Sequence, residues 1–385
     1  MGKLMKIAFI TNICPHYHVK GFEKLAHEYD VEFMFCSGAG EQYFGARNKI
    51  YLGGFRGEYL KGFTVWPGIR IVPSLITRLL FGGYDVIIKC ITGRFALPVT
   101  FVLTKLLGKP FILWTNIWMH PQTLFHRLSF PIVKFIYQRA DAVVVYGEHI
   151  ESYLTSLGVP REKIFISHNV VNNSVFNKPV GLYDLERIRD QVALQKLRVI
   201  LFVGRFEEEK GLSYLLEAYS ALARKNDVAL LLIGDGSKKN EIQDFCKANQ
   251  LEKVRIISHV DNQMLYVYYA LADVFVLPSV TTAITKEPWG LVINEAMNQG
   301  CPVVATDAVG GAMCGLVKNG ENGFVVPERN AQELTRAIET ILNDEVLAIK
   351  MKQKSKELIQ SFDYDDWVTG FRQAIEYVWT KQRRG

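Results

Sequence analysis

Two glutamates and a run of backbone amides lie close together in one stretch of this sequence. Glu287 and Glu295 have seven residues between them, and the segment Trp289–Val292 lies inside that interval. We predict a helix over Trp289–Gln299, which ends before Gly300. The first amides of a helix lack intrahelical partners and carry partial positive charge, so they bind anions. Two carboxylates and such a helix end suit a ligand with phosphate in its middle and hydroxyl groups at both ends, as in a nucleotide sugar.

A segment with a pair of basic residues opens another predicted helix. Residues 204–211 read GRFEEEKG and follow the predicted strand Val199–Val203. Arg205 offers a planar pair of donors and Lys210 a mobile point charge, so the two could hold a diphosphate and neutralise it as a leaving group. The alternative is an ordinary strand-to-helix turn with solvated charges. The glutamate pair in the same chain favours the diphosphate site.

The two glutamates also have a structural alternative, in which one caps the helix and the other lies on a solvated face. Trp289, Val292 and Ile293 are apolar, so the helix belongs in a core and a carboxylate at position 295 needs a partner. Ribose hydroxyls would provide one. Residues 234–239 read GDGSKK, which lacks the third glycine of a dinucleotide fingerprint, and the sequence contains neither a P-loop nor a GxSxG elbow.

Short apolar runs alternate with helical patterns along the chain, which indicates parallel strands joined by crossover helices. In the first half the predicted strands are Lys6–Thr11, Val31–Cys36, Asp85–Cys90, Pro110–Trp114, Ala142–Tyr146 and Lys163–Ser167, and the helices are Gly21–Glu28, Pro73–Leu80, Ala96–Leu107, Leu124–Arg139 and Ile150–Leu157. In the second half the strands are Val199–Val203, Val228–Ile233, Val254–Val260, Val274–Leu277, Pro302–Ala305 and Gly323–Val326. The helices there are Leu212–Ala223, Lys239–Asn249, Gln263–Leu271, Trp289–Gln299, Ala331–Leu342, Val346–Gln360 and Tyr364–Lys381.

The chain of 385 residues is too long for one ordinary core. We therefore predict two doubly wound, Rossmann-like α/β domains that face each other across a cleft at the carboxyl ends of their strands. The polar segment Asn169–Gln195 is the predicted linker. The segment Glu41–Trp66, rich in glycine and aromatic residues, is predicted to be an irregular excursion over the cleft.

Charge is distributed unevenly along the chain, whose formal net charge is +6. Residues 1–178 contain 20 Lys and Arg against 11 Asp and Glu, whereas residues 179–385 contain 25 against 28. A basic first half could face anionic lipid headgroups or an anionic acceptor, and scattered solvated lysines are the alternative. The basic residues are dispersed and accompany no DNA- or RNA-binding motif, so nucleic acid is not an expected partner.

The cysteines and the apolar segments indicate the compartment. Six cysteines form no CxxC or CxxH spacing, which favours reduced thiols in a cytoplasmic protein over disulfides or a zinc site. The apolar run near the start is too short for a secretory leader and is predicted to be a strand. Lysines and a proline interrupt the longest apolar region, Phe95–Trp118, so no transmembrane helix is expected there.

The spacing of Glu287 and Glu295 resembles the Glu-x7-Glu signature of family-four retaining glycosyltransferases, which have the glycosyltransferase-B fold. The sequences AMNQGCPVVATDAVGG and NGENGFVVP follow it, and GRFEEEKG, LLLIGDG and ADVFVLPS precede it in the expected order. The resemblance is specific over about Val199–Pro327 and only topological in the first half. It implies domains at 1–178 (acceptor) and 179–360 (donor), with a helix in 361–385 that crosses back to the first domain.

The resemblance implies a role for each matching residue. Glu287 would bind hydroxyls of the donor sugar and Glu295 the ribose, while Arg205 and Lys210, next to Gly204, would bind the diphosphate and stabilise the departing nucleotide. The backbone of Trp289, Gly290, Leu291 and Val292 would face the sugar and diphosphate, and the backbone near Val260 the base. The diphosphate would act as the base, so the enzyme needs no nucleophile of its own and no metal is expected.

The first half departs from the pattern of this family in two loops. Where many relatives have a Gly-Gly loop after the first strand, this chain reads CPHYHVKGF, with His16 and His18 near a single glycine, Gly21. Where many relatives have a histidine near the transferred sugar, this chain has Thr115-Asn116, with His120 following. Either Asn116 or His120 could replace that histidine, and each of these histidines could equally be an ordinary loop residue.

We therefore hypothesise a cytoplasmic, metal-independent retaining glycosyltransferase that uses a UDP-, GDP- or similar nucleotide sugar. Aromatic segments at Tyr51–Trp66 and Trp114–Trp118 suggest a lipid-linked or cell-surface glycan acceptor and peripheral contact with an anionic membrane at its inner face. The alternatives are a soluble small-molecule acceptor, a sugar-nucleotide epimerase of similar fold and a non-catalytic sugar-nucleotide-binding module. A dehydrogenase is disfavoured by the missing fingerprint.

Overall fold

The structure is a computed structural model that describes residues 4–37, 53–66, 68–194, 196–224 and 227–384. The chain divides into two compact units. The first consists of Met1–Trp118, Leu124–Val170 and Tyr364–Gly385, and the second of Met119–Thr123 and Val171–Asp363. The chain thus passes from the first unit to the second after Val170, earlier than the predicted boundary at residue 178.

Within the described residues, the first unit contains a parallel sheet of seven strands in the order β3-β2-β1-β6-β7-β8-β9. These strands are β1 (Lys6–Thr11), β2 (Asp30–Phe35), β3 (Gly57–Tyr59), β6 (Val86–Cys90), β7 (Phe111–Thr115), β8 (Ala142–Val145) and β9 (Ile164–Ile166). An antiparallel hairpin consists of β4 (Phe63–Trp66) and β5 (Ile69–Ile71). The helices are α1 (Val19–Glu28), α2 (Pro73–Phe81), α3 (Ala96–Leu106), α4 (Leu124–Arg139) and α5 (Glu148–Ser156).

The second unit contains, in its described part, a parallel sheet of six strands in the order β12-β11-β10-β13-β14-β15. The strands are β10 (Arg198–Val203), β11 (Val228–Ile233), β12 (Val254–Ile257), β13 (Val274–Leu277), β14 (Val303–Thr306) and β15 (Gly323–Val326). Its helices are α6 (Asn173–Phe176), α7 (Leu182–Gln191), α8 (Leu212–Ala223), α9 (Lys239–Ala248), α10 (Leu265–Leu271), α11 (Leu291–Asn298), α12 (Ala331–Asn343) and α13 (Glu345–Leu358). The last helix, α14 (Tyr364–Arg384), belongs to the first unit.

Composition explains why the central strands lie where they do. β11 reads VALLLI, and every one of its residues is buried. A strand that is apolar on both faces must be covered on both faces, as crossover helices achieve in a parallel sheet. The alternation predicted from the sequence is therefore confirmed as two Rossmann-like α/β units.

Several local predictions were wrong. The predicted linker Asn169–Gln195 contains helices α6 and α7, and the predicted excursion contains β3, which pairs with β2. The first part of that excursion lies outside the described residues. The strand predicted to reach Val260 ends at Ile257, because the chain turns there. Short elements with intermediate burial, such as β3, give little apolar pattern in the sequence.

One glycine fixes how a loop of the second unit approaches its neighbour. Gly211 has a φ of +64°, which is the left-handed region, and it immediately precedes α8. A Cβ at this position would collide with the carbonyl oxygen of Pro278, just after β13. The loop after β10 can therefore lie directly against the loop after β13.

No helix in the described ranges is long and apolar enough to cross a lipid bilayer.

We expect Gly211→Ala to lower the free energy of unfolding by at least about 3 kcal/mol, because the methyl group adds a clash with Pro278 to the conformational strain. Gly320→Ala is the matched control, since Gly320 also has positive φ (+76°) but open space around it. That control should lose only about 1 kcal/mol. Thermal unfolding of both variants measures the difference, and equal losses would contradict the close approach of the two loops.

Candidate active site

The candidate site of the second unit lies where the strand order of its sheet reverses. β10 and β13 are neighbours, yet the chain runs outward from β10 to β12 before it returns to β13. Because the strands are parallel, the loops that follow β10 and β13 leave from the same edge. Open α/β sheets bind ligands at such a switch point. Lys210 follows β10 and Glu287 follows β13.

Lys210 and Glu287 form an ion pair across these two loops. The Lys210 ammonium donates a hydrogen bond to Oε2 of Glu287, and the Ser279 hydroxyl lies 3.4 Å from the same oxygen. The side chains of Lys210 and Glu287 are 14% and 15% exposed, so water reaches them only partly. An ammonium has three donors. Lys210 can therefore bind a phosphate oxygen while it still holds Glu287.

Backbone hydrogen bonds hold the loop that carries Glu287. The amide of Gly310 donates to the carbonyl of Glu287 at 3.0 Å, and the amide of Gly311 donates to the carbonyl of Trp289 at 2.9 Å. On the other side, the amide of Val280 donates to the carbonyl of Glu209 at 2.8 Å. The ion pair is thus supported by main-chain contacts from both loops.

Helix α11 begins two residues later than predicted, at Leu291. Gly290 has a φ of +89°, which a helix does not permit, and a Cβ there would lie 2.8 Å from the Leu277 side chain. Trp289 precedes this turn, is 1% exposed, and donates from its indole nitrogen to Asn294 Oδ1 at 2.9 Å. Leu291 and Val292 therefore supply the first helical amides, and Trp289 anchors the turn in the core.

Glu295 lies in the core and has a protein partner. The Tyr269 hydroxyl donates to Oε2 of Glu295 at 2.6 Å, and Glu295 is 8% exposed. Burial raises the pKa of Glu295 to about 7, and the hydrogen bond from Tyr269 opposes that rise. The sequence required a partner for this carboxylate, and Tyr269 on α10 provides one that sequence reasoning missed. Nothing in the spacing of Tyr269 distinguishes it from the other tyrosines of that helix.

Arg205 does not share the ion pair of Lys210. Its guanidinium donates to Glu209 at 2.6 Å, and its side chain is 66% exposed. Gly204 and Gly234 directly follow the neighbouring strands β10 and β11, and a Cβ on Gly234 would collide with the Gly204 carbonyl. Val260 lies beyond the end of β12 and is partly exposed. Of the predicted donor residues, the structure joins Lys210 directly to Glu287 and leaves Arg205, on the same loop as Lys210, accessible to solvent.

The histidines after β1 differ in their surroundings. His16 is exposed at the start of a 3-10 turn, with its ring against Tyr17. His18 is 4% exposed and packs against the rings of Phe22, Trp114 and Trp367. Burial, and then the charge of His16, lower the pKa of His18 to about 3. We therefore correct the assignment of His18 from a sugar-side residue to a neutral core residue.

Two further acceptor-side predictions change in the structure. Gly21 lies inside α1 rather than in a loop, and a Cβ there would lie 3.0 Å from the Trp367 ring, so this glycine serves helix packing. His120 lies in Met119–Thr123, a segment of the second unit. Asn116 follows β7 in the first unit and is partly exposed.

The switch point of the first unit lies between β1 and β6, and sequence reasoning overlooked the loop after β6. Lys89, the penultimate residue of β6, is fully buried and donates to the carbonyls of Cys90 and Thr92 at 2.8 and 2.6 Å. Arg94 follows in the loop, with its guanidinium 3.9 Å from the centre of the Phe125 ring. Lys89 is the one charged residue in the otherwise apolar sequence of β6, and this could have drawn attention to the loop.

Two family models match the chain one after the other. "Glycosyltransferase Family 4" matches residues 16–175, and "Glycosyl transferases group 1" matches residues 184–358. The chain is similar to an alpha-D-kanosaminyltransferase of Streptomyces kanamyceticus, with 26% identity over 79% of both chains. It is also similar to the N-acetylgalactosamine-N,N'-diacetylbacillosaminyl-diphospho-undecaprenol 4-alpha-N-acetylgalactosaminyltransferase of Campylobacter jejuni, with 28% identity over 64% of this chain and 62% of that one.

Among solved structures, HepE of Anabaena in complex with UDP has the same fold. Its TM-score is 0.77 with 20% identity, over 97% of this chain and 100% of that chain. The two family models thus define a glycosyltransferase, and the fold shows that it is built from two Rossmann-like units. The chain belongs to the family-four glycosyltransferases, which have the glycosyltransferase-B fold.

We expect Glu295→Gln to stabilise the protein at pH 8 more than at pH 5. The pKa of Glu295 is about 7 in the folded protein, above its ordinary value of 4.5, so the folded state binds a proton that the unfolded state has already released. The free energy of unfolding therefore falls as pH rises through this interval. Glutamine keeps an acceptor for Tyr269 without the charge. The gain at pH 8 should be on the order of 3 kcal/mol.

Thermal unfolding from pH 5 to pH 8 measures this difference. Glu357→Gln, at an exposed site on α13, is the control and should shift the transition little at either pH. A Glu295→Gln effect that is the same at both pH values would contradict the burial of a titrating carboxyl.

Proposed function

We propose that this glycosyltransferase moves a sugar from a nucleoside-diphosphate sugar to a hydroxyl acceptor, with retention at the anomeric carbon. The observation that carries the proposal is the Lys210–Glu287 pair at the switch point of the second unit. A half-buried cation suits a diphosphate, and a carboxylate fixed beside it suits sugar hydroxyls. In a nucleotide sugar the diphosphate is bonded directly to the sugar, so a cation and a carboxylate that are in contact suit its two neighbouring parts.

In this proposal each group acts at a definite place. The bond from the anomeric carbon to the diphosphate oxygen breaks, a bond to the acceptor oxygen forms on the same face, and the acceptor proton passes to the departing diphosphate. Lys210 neutralises the charge that develops on the leaving group. Glu287 orients the sugar. Arg205 exchanges Glu209 for phosphate oxygens, which its exposure permits.

We assign the ribose to Glu295. Two ribose hydroxyls can donate to its carboxylate, as Tyr269 already does, and such bonds favour the charged form. Nucleotide binding would then lower the pKa of Glu295 and release a proton near neutral pH. The charge supplied by Lys210 and Arg205 is the reason that we propose transfer without a bound metal.

For the acceptor we propose a lipid-linked glycan at the cytoplasmic face of a membrane. Support comes from the Campylobacter jejuni relative, whose name specifies a diphospho-undecaprenol-linked substrate. In this arrangement the first unit binds the acceptor. A soluble small molecule is the other acceptor class, and transfer to detergent-extracted lipid but not to free sugars distinguishes the two.

We expect Glu287→Gln to reduce sugar transfer by at least about 100-fold, because the variant loses the charge that orients the sugar and that holds Lys210. The measurement is release of nucleoside diphosphate in the presence of lipid extract, after a thermal-shift panel of UDP, GDP, ADP and CDP sugars has identified the donor. A cooperative thermal transition above the assay temperature is the control for folding. Unaltered turnover would remove Glu287 from the site, and donor binding by the wild type without any transfer would indicate a non-catalytic binding module.

We expect Lys210→Ala to weaken nucleoside-diphosphate binding by about 10- to 100-fold, since one charge-assisted contact is lost. Lys253→Ala is the matched control, because Lys253 pairs with Asp227 at the other edge of the same sheet. Lys210→Arg should restore part of the affinity. Calorimetry that gives equal affinities for Lys210→Ala and Lys253→Ala would overturn the proposed diphosphate contact.

A further inference from the structure

Helix α4 presents a row of large apolar side chains to solvent. Leu124, Leu128, Ile132 and Phe135 are 74%, 72%, 59% and 51% exposed. Their spacing of three or four residues places them on one face of the helix. Isolated exposed apolar residues are normal, but a contiguous set of this kind marks a surface that binds something.

Helix α3 extends this surface. The rings of Phe101 and Phe135 meet edge to face, with centroids 6.0 Å apart, so the two helices are neighbours. Val102 and Leu106 on α3 are 51% and 78% exposed. We call the exposed apolar residues of α3 and α4 the apolar face.

The charged residues of the two helices that form the apolar face have one sign. Neither Ala96–Leu106 nor Leu124–Arg139 contains an aspartate or a glutamate. Their lysines and arginines are Lys105, Arg127, Lys134 and Arg139. The surface therefore joins exposed apolar side chains to positive charge.

A lysine-lined pocket lies at the end of α3. It has a volume of about 320 Å³, and its lining includes Lys105, Lys109, Lys163 and Lys381 around a single carboxylate, Asp141. Asp141 accepts hydrogen bonds from Lys105 and from the amide of Phe111, both at 2.7 Å. Its charge is therefore already engaged, and the pocket keeps an excess of ammonium groups that suits a phosphate.

We propose that this part of the first unit docks onto an anionic phospholipid bilayer. The apolar face enters the boundary between headgroups and acyl chains, and the lysine-lined pocket binds a headgroup phosphate. A second copy of this chain is a poorer occupant, since two identical surfaces would bring like charges together. Docking does not depend on which sugar is transferred, and it would hold the enzyme where lipid-linked acceptors lie.

The surface differs from the segments that the sequence suggested. Trp114, in the second of those segments, is buried in the core. Residues 51–52 of the first lie outside the described residues, whereas Phe63 and Trp66 are 56% and 67% exposed on the hairpin. The sequence did not predict that the apolar side chains of α4 are exposed. Apolar residues at helical spacing occur equally in helices that bury that face in a core.

Vesicle co-sedimentation tests the proposal on the full chain. Wild-type protein should bind vesicles of phosphatidylcholine and phosphatidylglycerol (about 7:3) at least about 10-fold more tightly than vesicles of phosphatidylcholine alone. Leu128→Gln/Ile132→Gln should weaken binding to the anionic vesicles about 10-fold or more. The matched control is Val346→Gln/Ile349→Gln on α13, whose side chains are 63% and 59% exposed in the second unit, and it should bind like wild type.

A further double variant tests the lysine-lined pocket. Lys109→Gln/Lys381→Gln should reduce binding to anionic vesicles, leave binding to phosphatidylcholine unchanged, and weaken the salt dependence. Nucleoside-diphosphate binding should be unaltered in all three double variants, which separates a failure of docking from a failure of the proposed donor site.

Three results would overturn the proposal. The first is equal binding of wild type to both vesicle types, and the second is unchanged binding by Leu128→Gln/Ile132→Gln. The third is a dimer in sedimentation velocity that this double variant dissociates, without vesicle binding by the wild type, which would assign the apolar face to a second copy of the chain.

Discussion

The ion pair between Lys210 and Glu287 is the contact on which the candidate site of the second unit depends. A charged side chain that is about 15% exposed needs a partner, since either charge alone would be poorly solvated. The partners come from loops that are far apart in sequence and meet only because β10 and β13 are adjacent. Gly211 then lets the two loops approach without a Cβ in the way, and Gly290 lets the chain turn into α11 against Leu277 and Val309. Sheet order, loop geometry and charge placement thus form one constraint.

Glu295, unlike the ion pair, lowers the stability of the folded protein when it is charged. Burial makes its charged form unfavourable, and the single hydrogen bond from Tyr269 recovers only part of the lost solvation. A leucine or glutamine would suit the core better. The proposed ribose contact would supply the missing donors to this carboxylate, and natural sites commonly sacrifice stability in this way.

The sequence was sufficient for most elements that are long or wholly apolar. The bounds of β11, β13, α4 and α8 agree with prediction, because each has a strong pattern and clear ends. The helix start near Glu287 was placed too early, since only the structure reveals the positive φ of Gly290. At the site, residue type and order identified Lys210 and Glu287. The contact of Tyr269 with Glu295 and the burial of His18 depend on packing between segments that are distant in sequence. The spacing of residues in the sequence does not predict such packing.

The first unit is discontinuous in sequence, and this affects the order in which the chain can fold. Helix α14 supplies Trp367, which lies against Gly21, and Arg372, which forms a paired salt bridge with Glu28. On the ribosome, strands β1 to β9 emerge long before this helix exists. The second unit has its whole sequence available earlier and can complete its core first. The part of the first unit before Val170 must therefore wait, with aromatic side chains such as Phe22 incompletely covered, until α14 has been synthesised.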